Sequence, residues 1–558
     1  MVSRITFPLI LALAGLAAGE PASSSGFRGD GSGVFAEARP PADFDGPSGR
    51  GILWRAPLPN WGNGSPIVAG RKAFVVCEAA TPATATSPLV DTPLLLCFDA
   101  GSGKELWRRQ VDPFDSVPDQ GVAAQLRKLR REYYETAHRQ NLAGEGSVYR
   151  DWQGYKAFMA KFAPYGYWDN SMWGRTGMGY CMPTPVSDGT RVFVFTGHRV
   201  MAAFDLNGNR LWQQFHHQAQ VPWGANTEYC GHSPLYCEGK VLLHFLIEGK
   251  GEPLGLRCYD AGTGKVLWTT PTEQLPHNAM GSPVLLMLPK PGGGVEPAVF
   301  CFSGELVRAR DGKVLADRIG WGRRCAGFTG DGVDRIFMAC GWHGAAKREP
   351  DEPWRQPKGR FGISDDKAPL NQEQRLNICV KFALKADAAE PQLLWAHRGG
   401  PDDGNLRNWT GRRNLDPYPV YHAERLYLAC GQVWDAKTGQ VVGQRPANLK
   451  NDLGEQGIVM AGGHVFGQAD NQSKDCTVSV TRVTAQGLEG TRWLMLEKRN
   501  GNPAWQTDEW KSKVKAETGS NGLSLWHGWH PSFALPFASG NRLYVRTFDY
   551  LWCIGSKE

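Results

Sequence analysis

The stretch Asp99-Ala-Gly-Ser-Gly-Lys-Glu-Leu-Trp107 recurs as Asp260-Ala-Gly-Thr-Gly-Lys-Val-Leu-Trp268. It is shortened in Asp205-Leu-Asn-Gly-Asn-Arg-Leu-Trp212 and worn down in Asp435-Ala-Lys-Thr-Gly-Gln-Val-Val442. Each copy reads as a strand ending at Asp, a tight turn, and a new strand carrying Trp. The Asp carboxylate accepts turn N–H groups, Ser or Thr adds a second acceptor, and Gly takes the positive φ of the turn. Upstream of three of them lies another hairpin, opened by a Ser-Pro or Thr-Pro step: GSPIVAGRKAFVV, PTPVSDGTRVFVF and HSPLYCEGKVLLH. Two hairpins make four antiparallel strands, one blade of a β-propeller.

Counted this way, the blades fall at about 62–109, 180–215, 229–270, 279–317, 325–397, 415–445, 456–497 and 531–555. The sequence therefore predicts an all-β, eight-bladed propeller over 52–558; seven blades with one irregular pair is the competing count. The last blade stops at LWCIG without a fourth strand, and Ile52-Leu-Trp-Arg-Ala-Pro57 resembles the strand it lacks. Pairing the two would close the ring and leave no open edge at the seam.

Three insertions interrupt the period. Residues 113–178 hold AAQLRKLRREYYETAHRQ at helical spacing and a shorter helical candidate, YKAFMAKF. Residues 344–376 read as a polar, Pro-rich loop, and 498–530 carry Trp505, Trp510, Trp526 and Trp529. That tryptophan group is either a binding surface or the loop's own small core.

The ends and the composition bound the rest. Arg4, the apolar run Ile5–Leu16 and the small residues Ala17, Ala18 and Gly19 read as a signal peptide over 1–19, with an uncleaved anchor as the alternative. A lead-in of 20–51 follows, and the expected location is periplasmic or secreted. No later stretch is apolar enough to span a membrane. The net charge of +7 is weak over 558 residues. Its one dense basic run, Arg127 to Arg131, reads as a solvated helix face rather than a nucleic-acid site. The 13 cysteines include Cys97, Cys258 and Cys553 at one repeat position, the behaviour of small buried hydrophobes rather than a disulfide framework.

The repeat names a family. D-x-x-[ST]-G-K-x-x-W resembles the tryptophan-docking repeat of quinoprotein alcohol dehydrogenases and other pyrroloquinoline-quinone (PQQ) repeat propellers, one of which carries no cofactor. Phe27-Arg-Gly-Asp-Gly-Ser-Gly33 resembles the start of exported bacterial PQQ-like proteins. The resemblance implies an eight-bladed ring and, in its catalytic members, PQQ and calcium. This chain departs from those members: it has no adjacent cysteine pair, no haem domain and no matching calcium-ligand set, which disfavours quinone chemistry.

No G-x-S-x-G, HExxH or Walker loop is present. The repeat itself then serves as an internal alignment. Six residues before the Pro of each blade stand Asn60, Gly179, Glu228, His277, Arg413 and His530, with Arg323 and Asp452 in the two blades aligned by their second strand. The column would lie at one mouth of the central channel and varies from blade to blade, as a recognition site requires; connecting loops are also polar for trivial reasons. His232 stands where other blades have Gly or Pro, so it either reaches the channel or bonds neighbouring backbone. No metal set is expected, since His277 and His530 would face each other across the ring. The function expected is a binding or scaffold propeller for a protein, glycan or small molecule; the alternative is a periplasmic PQQ- and calcium-dependent dehydrogenase of alcohols or sugars.

Overall fold

The computed structural model describes residues 25–59, 62–77, 92–143, 183–197, 199–216, 232–245, 255–272, 281–320, 327–340, 375–399, 418–443, 453–454, 457–469, 475–498, 534–547 and 550–556, with 160, 161, 164 and 181 as single positions. They form eight antiparallel sheets of four strands, one of which gains a fifth short strand at its inner edge. In blade 1 the strands are Ile67–Ala69, Lys72–Cys77, Leu94–Asp99 and Glu105–Gln110, hydrogen-bonded in chain order from the axis outward. The innermost strands of the later blades begin at Val186, Leu235, Val284, Phe328, Val420, Ile458 and Phe537. The bridge between Tyr418 and Gly457 is parallel, as expected of innermost strands that all run the same way along the axis.

The seam closes as the sequence predicts. Ile52–Pro57 pairs antiparallel with Tyr550–Gly555, with Trp54 opposite Cys553 and Pro57 opposite Tyr550. The eighth blade is therefore built from both ends of the chain.

The repeat's Gly and Trp prove to be two halves of one lock between blades. Trp54 Nε1 donates to the Ala100 carbonyl at 3.2 Å, Trp107 to Leu206 at 3.1 Å, Trp212 to Ala261 at 3.0 Å and Trp395 to Ala436 at 2.9 Å. Each indole lies flat on the turn glycine of the next blade. A Cβ at Gly103 would come within 2.5 Å of Trp54, and one at Gly264 within 2.4 Å of Trp212. Both glycines also have φ of +72°, so two independent constraints exclude a side chain there. Blade 4 breaks the pattern: Arg308 replaces the turn Asp, and the Trp268 Nε1 that should dock there is buried without a partner.

The turn aspartates carry the charge the sequence assigns them. Asp260 Oδ1 accepts from Gly262 N, Thr263 N and Thr263 Oγ1 at 2.8–3.1 Å, and Asp99 does the same with Gly101 and Ser102. The Thr263 and Ser102 hydroxyls, then the backbone N–H groups, hold these carboxyls below the usual range. A depressed folded pKa stabilises fully above the unfolded value of about 3.9 and is lost as pH falls through the folded value. The melting temperature should therefore drop as pH is lowered below about 4. Asp260→Asn and Asp99→Asn should flatten that slope, and scanning calorimetry from pH 6 to 2 measures it. An unchanged slope in the double variant would contradict the assignment.

The first insertion contains the helix the spacing predicts, over Gln120–Ala143. Its basic run is not simply solvated, which corrects the sequence reading. Arg130 is buried and donates to Asp112 at 2.9 Å and Thr92 at 2.7 Å, and Arg127 donates to Asp112 at 2.7 Å. Burial alone would raise Asp112, but Arg130 and Arg127 hold it below the carboxylate range. Lys128 and Arg131 remain exposed. The second helical candidate and the other two insertions lie almost wholly outside the described residues.

Ten described cysteines are buried, and Cys97, Cys258 and Cys553 are among them and are free. Burial pushes those three thiols up to about 12, so they are inert. No described helix is long and apolar enough to cross a membrane.

Candidate functional site: a hydroxyl belt beneath the connections between blades

Because the innermost strands run parallel, the two faces of the ring differ. On one face lie the tight hairpins within each blade and the Asp-Gly turns. All connections between blades, and those between second and third strands, leave from and return to the other. The described strands that flank the three insertions end and begin there. Function grafted on a rigid scaffold belongs on such a face.

Just inside that face the Ser/Thr-Pro steps build a belt. Pro has no N–H to give and holds the preceding residue extended, so each innermost strand starts at the same level. Leu535 N donates to Ser65 Oγ at 2.8 Å, Ser65 N to Thr184 Oγ1 at 3.0 Å, and Thr184 N to Ser233 Oγ at 3.0 Å. Ser233 N then donates to Ser282 Oγ at 3.1 Å, and Ser282 N to the Tyr418 hydroxyl at 2.9 Å. Five hydrogen bonds thus run in one rotational sense through blades 8, 1, 2, 3, 4 and 6. Tyr418 reaches past blade 5, whose strand starts at Phe328 without a hydroxyl.

The other mouth is stoppered by the chain's own lead-in. Ser25 and Ser187 exchange backbone hydrogen bonds of 3.0 and 2.7 Å at blade 2. Ten residues on, Val34–Phe35 runs parallel to Met460 and Ala461 of blade 7. Between them Phe27 meets Tyr418 edge-on at 5.0 Å, while Phe35 meets Phe537 of blade 8 at 4.8 Å. The FRGDGSG motif is therefore the stopper, and its glycines take φ of +76°, +96° and +79° at 29, 31 and 33. A cavity of about 170 Å³ remains between this segment and the walls of blades 2 to 5.

Buried polar groups gather on the side of these connections at blades 2 and 3. Arg257 Nη1 donates to His216 Nδ1 at 2.7 Å. That fixes the proton on Nε2, which lies 2.7 Å from the Tyr259 hydroxyl. His232 is 1% exposed, and its Nδ1–H donates to the Gly281 carbonyl of blade 4 at 2.6 Å. Its ring meets His244 edge-on at 5.5 Å. His244 Nε2 lies 3.0 Å from Thr272 Oγ1 and 3.3 Å from Ser303 Oγ, whose proton goes to Glu305. Burial, then the neighbouring His232, pushes His244 well below the ordinary histidine range, so it stays neutral. Across the ring, Gln468 donates to the Arg546 carbonyl at 2.6 Å, and Arg546 donates to the carbonyls of Val76 and Gly64.

Of the sequence-derived candidates, His232 is the one the structure describes; it bonds the backbone of the next blade. Asn60, Gly179, Glu228, His277, Arg323, Arg413, Asp452 and His530 lie outside the described residues. The buried groups His216, His244, Arg257, Gln468 and Arg546 were missed. A signal existed for three of them. The fifth residue of the second strand is Val76 in blade 1 and Phe195 in blade 2, but His244, Gln468 and Arg546 in blades 3, 7 and 8. A polar residue at an otherwise apolar core position marks a place where the interior is wired rather than packed. Among the described residues no three His, Cys, Asp or Glu side chains are grouped to hold a metal.

No protein-family model matches the chain, and no curated protein matches it either. Solved structures of similar fold include a europium-containing methanol dehydrogenase, at 13% identity and a TM-score of 0.30, covering 88% of this chain and 76% of that one. BamB from Moraxella catarrhalis is 12% identical with a TM-score of 0.35, over 85% and 99% of the two chains. A quinohemoprotein alcohol dehydrogenase from Comamonas testosteroni is 11% identical with a TM-score of 0.33, over 91% and 77%. At these values the likeness concerns the fold, and no activity passes from those proteins to this one.

Proposed function

We propose that the chain is an exported binding propeller. It presents the face that carries its inter-blade connections to a protein, glycan or small molecule, with Asn60, Glu228, His277, Arg323, Arg413 and His530 as the recognition ring. The observation that carries this reading is the asymmetry of the channel: one mouth is filled by residues 25–35, and the connections gather at the other. His232, buried in the wall, holds the Gly281 backbone rather than meeting a ligand.

A thermal-shift panel of sugars, amino acids and organic acids tests the reading. At least one compound should raise the melting temperature of the wild type in a saturable way. Glu228→Ala and His277→Ala should weaken that compound at least tenfold, while altering ligand-free stability by no more than about 0.5 kcal/mol. Variants that keep full affinity, or a ligand lost instead in Lys72→Ala on the opposite face, would overturn it. Added PQQ and calcium should support no dye reduction with alcohols or aldoses; turnover would put the dehydrogenase reading in its place.

A further inference from the structure

Arg28 is the most unusual residue of the stopper. It is 2% exposed, with φ of 57°. Its side chain rises from the stopper to the belt, where the guanidinium lies 5.3 Å from the centre of the Tyr418 ring. Nη2 donates to the Pro419 carbonyl at 2.5 Å and to the Ser32 carbonyl at 3.1 Å. The fit is close enough that a Cβ at Gly33 would fall 2.5 Å from Nη2, so this glycine makes room for the guanidinium.

A guanidinium has five N–H donors, and only the two on Nη2 are used here. Nε and Nη1 are buried with no partner. Asp30, two residues on, is exposed and spends Oδ1 on the Ser32 N–H at 2.9 Å. Burial lowers Arg28 to about 10, so it still carries its charge at neutral pH. A buried ionised group whose donors meet no acceptor is costly, and folds do not keep one without compensation. The described protein groups supply two carbonyl oxygens, an aromatic face and, at longer range, the exposed carboxylate of Asp30, and none of them reaches Nε or Nη1.

We propose that the shaft holds an anion at Arg28, beneath the hydroxyl belt: a free inorganic oxyanion or halide, or the carboxylate of a small molecule. Nε–H and Nη1–H are the donors left to receive it, and charge-assisted bonds of this kind are about twice as strong as neutral ones. The anion also ties the stopper in place, because Arg28 is covalently part of it. The site does not rest on the recognition ring.

The full chain is melted in potassium bromide, phosphate, acetate and butyrate at constant ionic strength, alongside Arg28→Met and Arg28→Lys. Wild type should show a saturable rise in melting temperature with at least one anion. Bromide or phosphate alone would identify a free inorganic anion; acetate and butyrate alone would identify a carboxylate site. Arg28→Met should lose the rise, weakening the apparent affinity at least tenfold, and Arg28→Lys should retain part of it. Equal responses of wild type and Arg28→Met would overturn the proposal. Should Arg28→Met fail to fold, anomalous scattering from bromide-soaked wild-type crystals decides. A peak at Nε or Nη1 with a saturable melt supports the site. Water there, or a peak with no effect on melting (an adventitious ion only), overturns it.

Discussion

Removal of residues 1–58 should turn the protein from a soluble ring into aggregates, with size-exclusion chromatography and light scattering as the measurement. The truncation takes away Ile52–Pro57, the outer strand of blade 8, and exposes the backbone of Tyr550–Gly555 as a free edge. It also takes Val34–Phe35 from the inner edge of blade 7. Trp54 leaves with them, and with it the lock onto Ala100 that fastens blade 8 to blade 1. A bare edge rich in Leu551, Trp552 and Ile554 is a template for pairing with another chain. Truncating only through residue 35 separates the two roles: the clasp stays, the stopper goes, and the protein should remain soluble. A soluble 59–558 chain with an unchanged melting temperature would show that the seam carries no weight.

Trp212→Ala should cost about 3–5 kcal/mol, the range for emptying a buried aromatic site. Trp212 is 8% exposed, stacks near Tyr259 and sits on Gly264 of the next blade. Truncation opens a cavity between blades 2 and 3 and leaves the Ala261 carbonyl without its donor. Trp493, an exposed tryptophan on the rim of blade 7, is the control: Trp493→Ala should change stability by about 0.5 kcal/mol or less. Gly264→Ala tests the same lock from the other side, since its Cβ has no room. Urea unfolding of the three variants gives the comparison, and equal losses for Trp212→Ala and Trp493→Ala would refute the lock.

These two cases show why the fold was legible and the site was not. Asp, Gly and Trp recur because each blade solves the same packing problem, and repetition makes the solution visible in one sequence. The belt was half visible: the Ser-Pro and Thr-Pro steps stood out, but not that each hydroxyl accepts from the blade before. Tyr418 joins it from a blade with no such step. Arg28 was quoted only as a letter in a resemblance, because a residue used once has no second copy to compare. The ring of Glu228, His277 and their counterparts rests on counting from prolines, and contact geometry never enters such a count.

The clasp has a consequence in time. The chain emerges from a ribosome or a translocation pore with Ile52–Pro57 first, yet its partner Tyr550–Gly555 comes last. At about 5–20 residues per second, the interval between them is roughly 25–100 s. During that interval Trp54 and its strand have nothing to pair with, while seven blades form around a gap. The contact that completes the circle is also the one most distant along the chain, so it forms slowly. Refolding of the full chain should accordingly end in a slow phase reported by Trp54, and a chain permuted to begin at residue 59, with its old ends joined, should lack it.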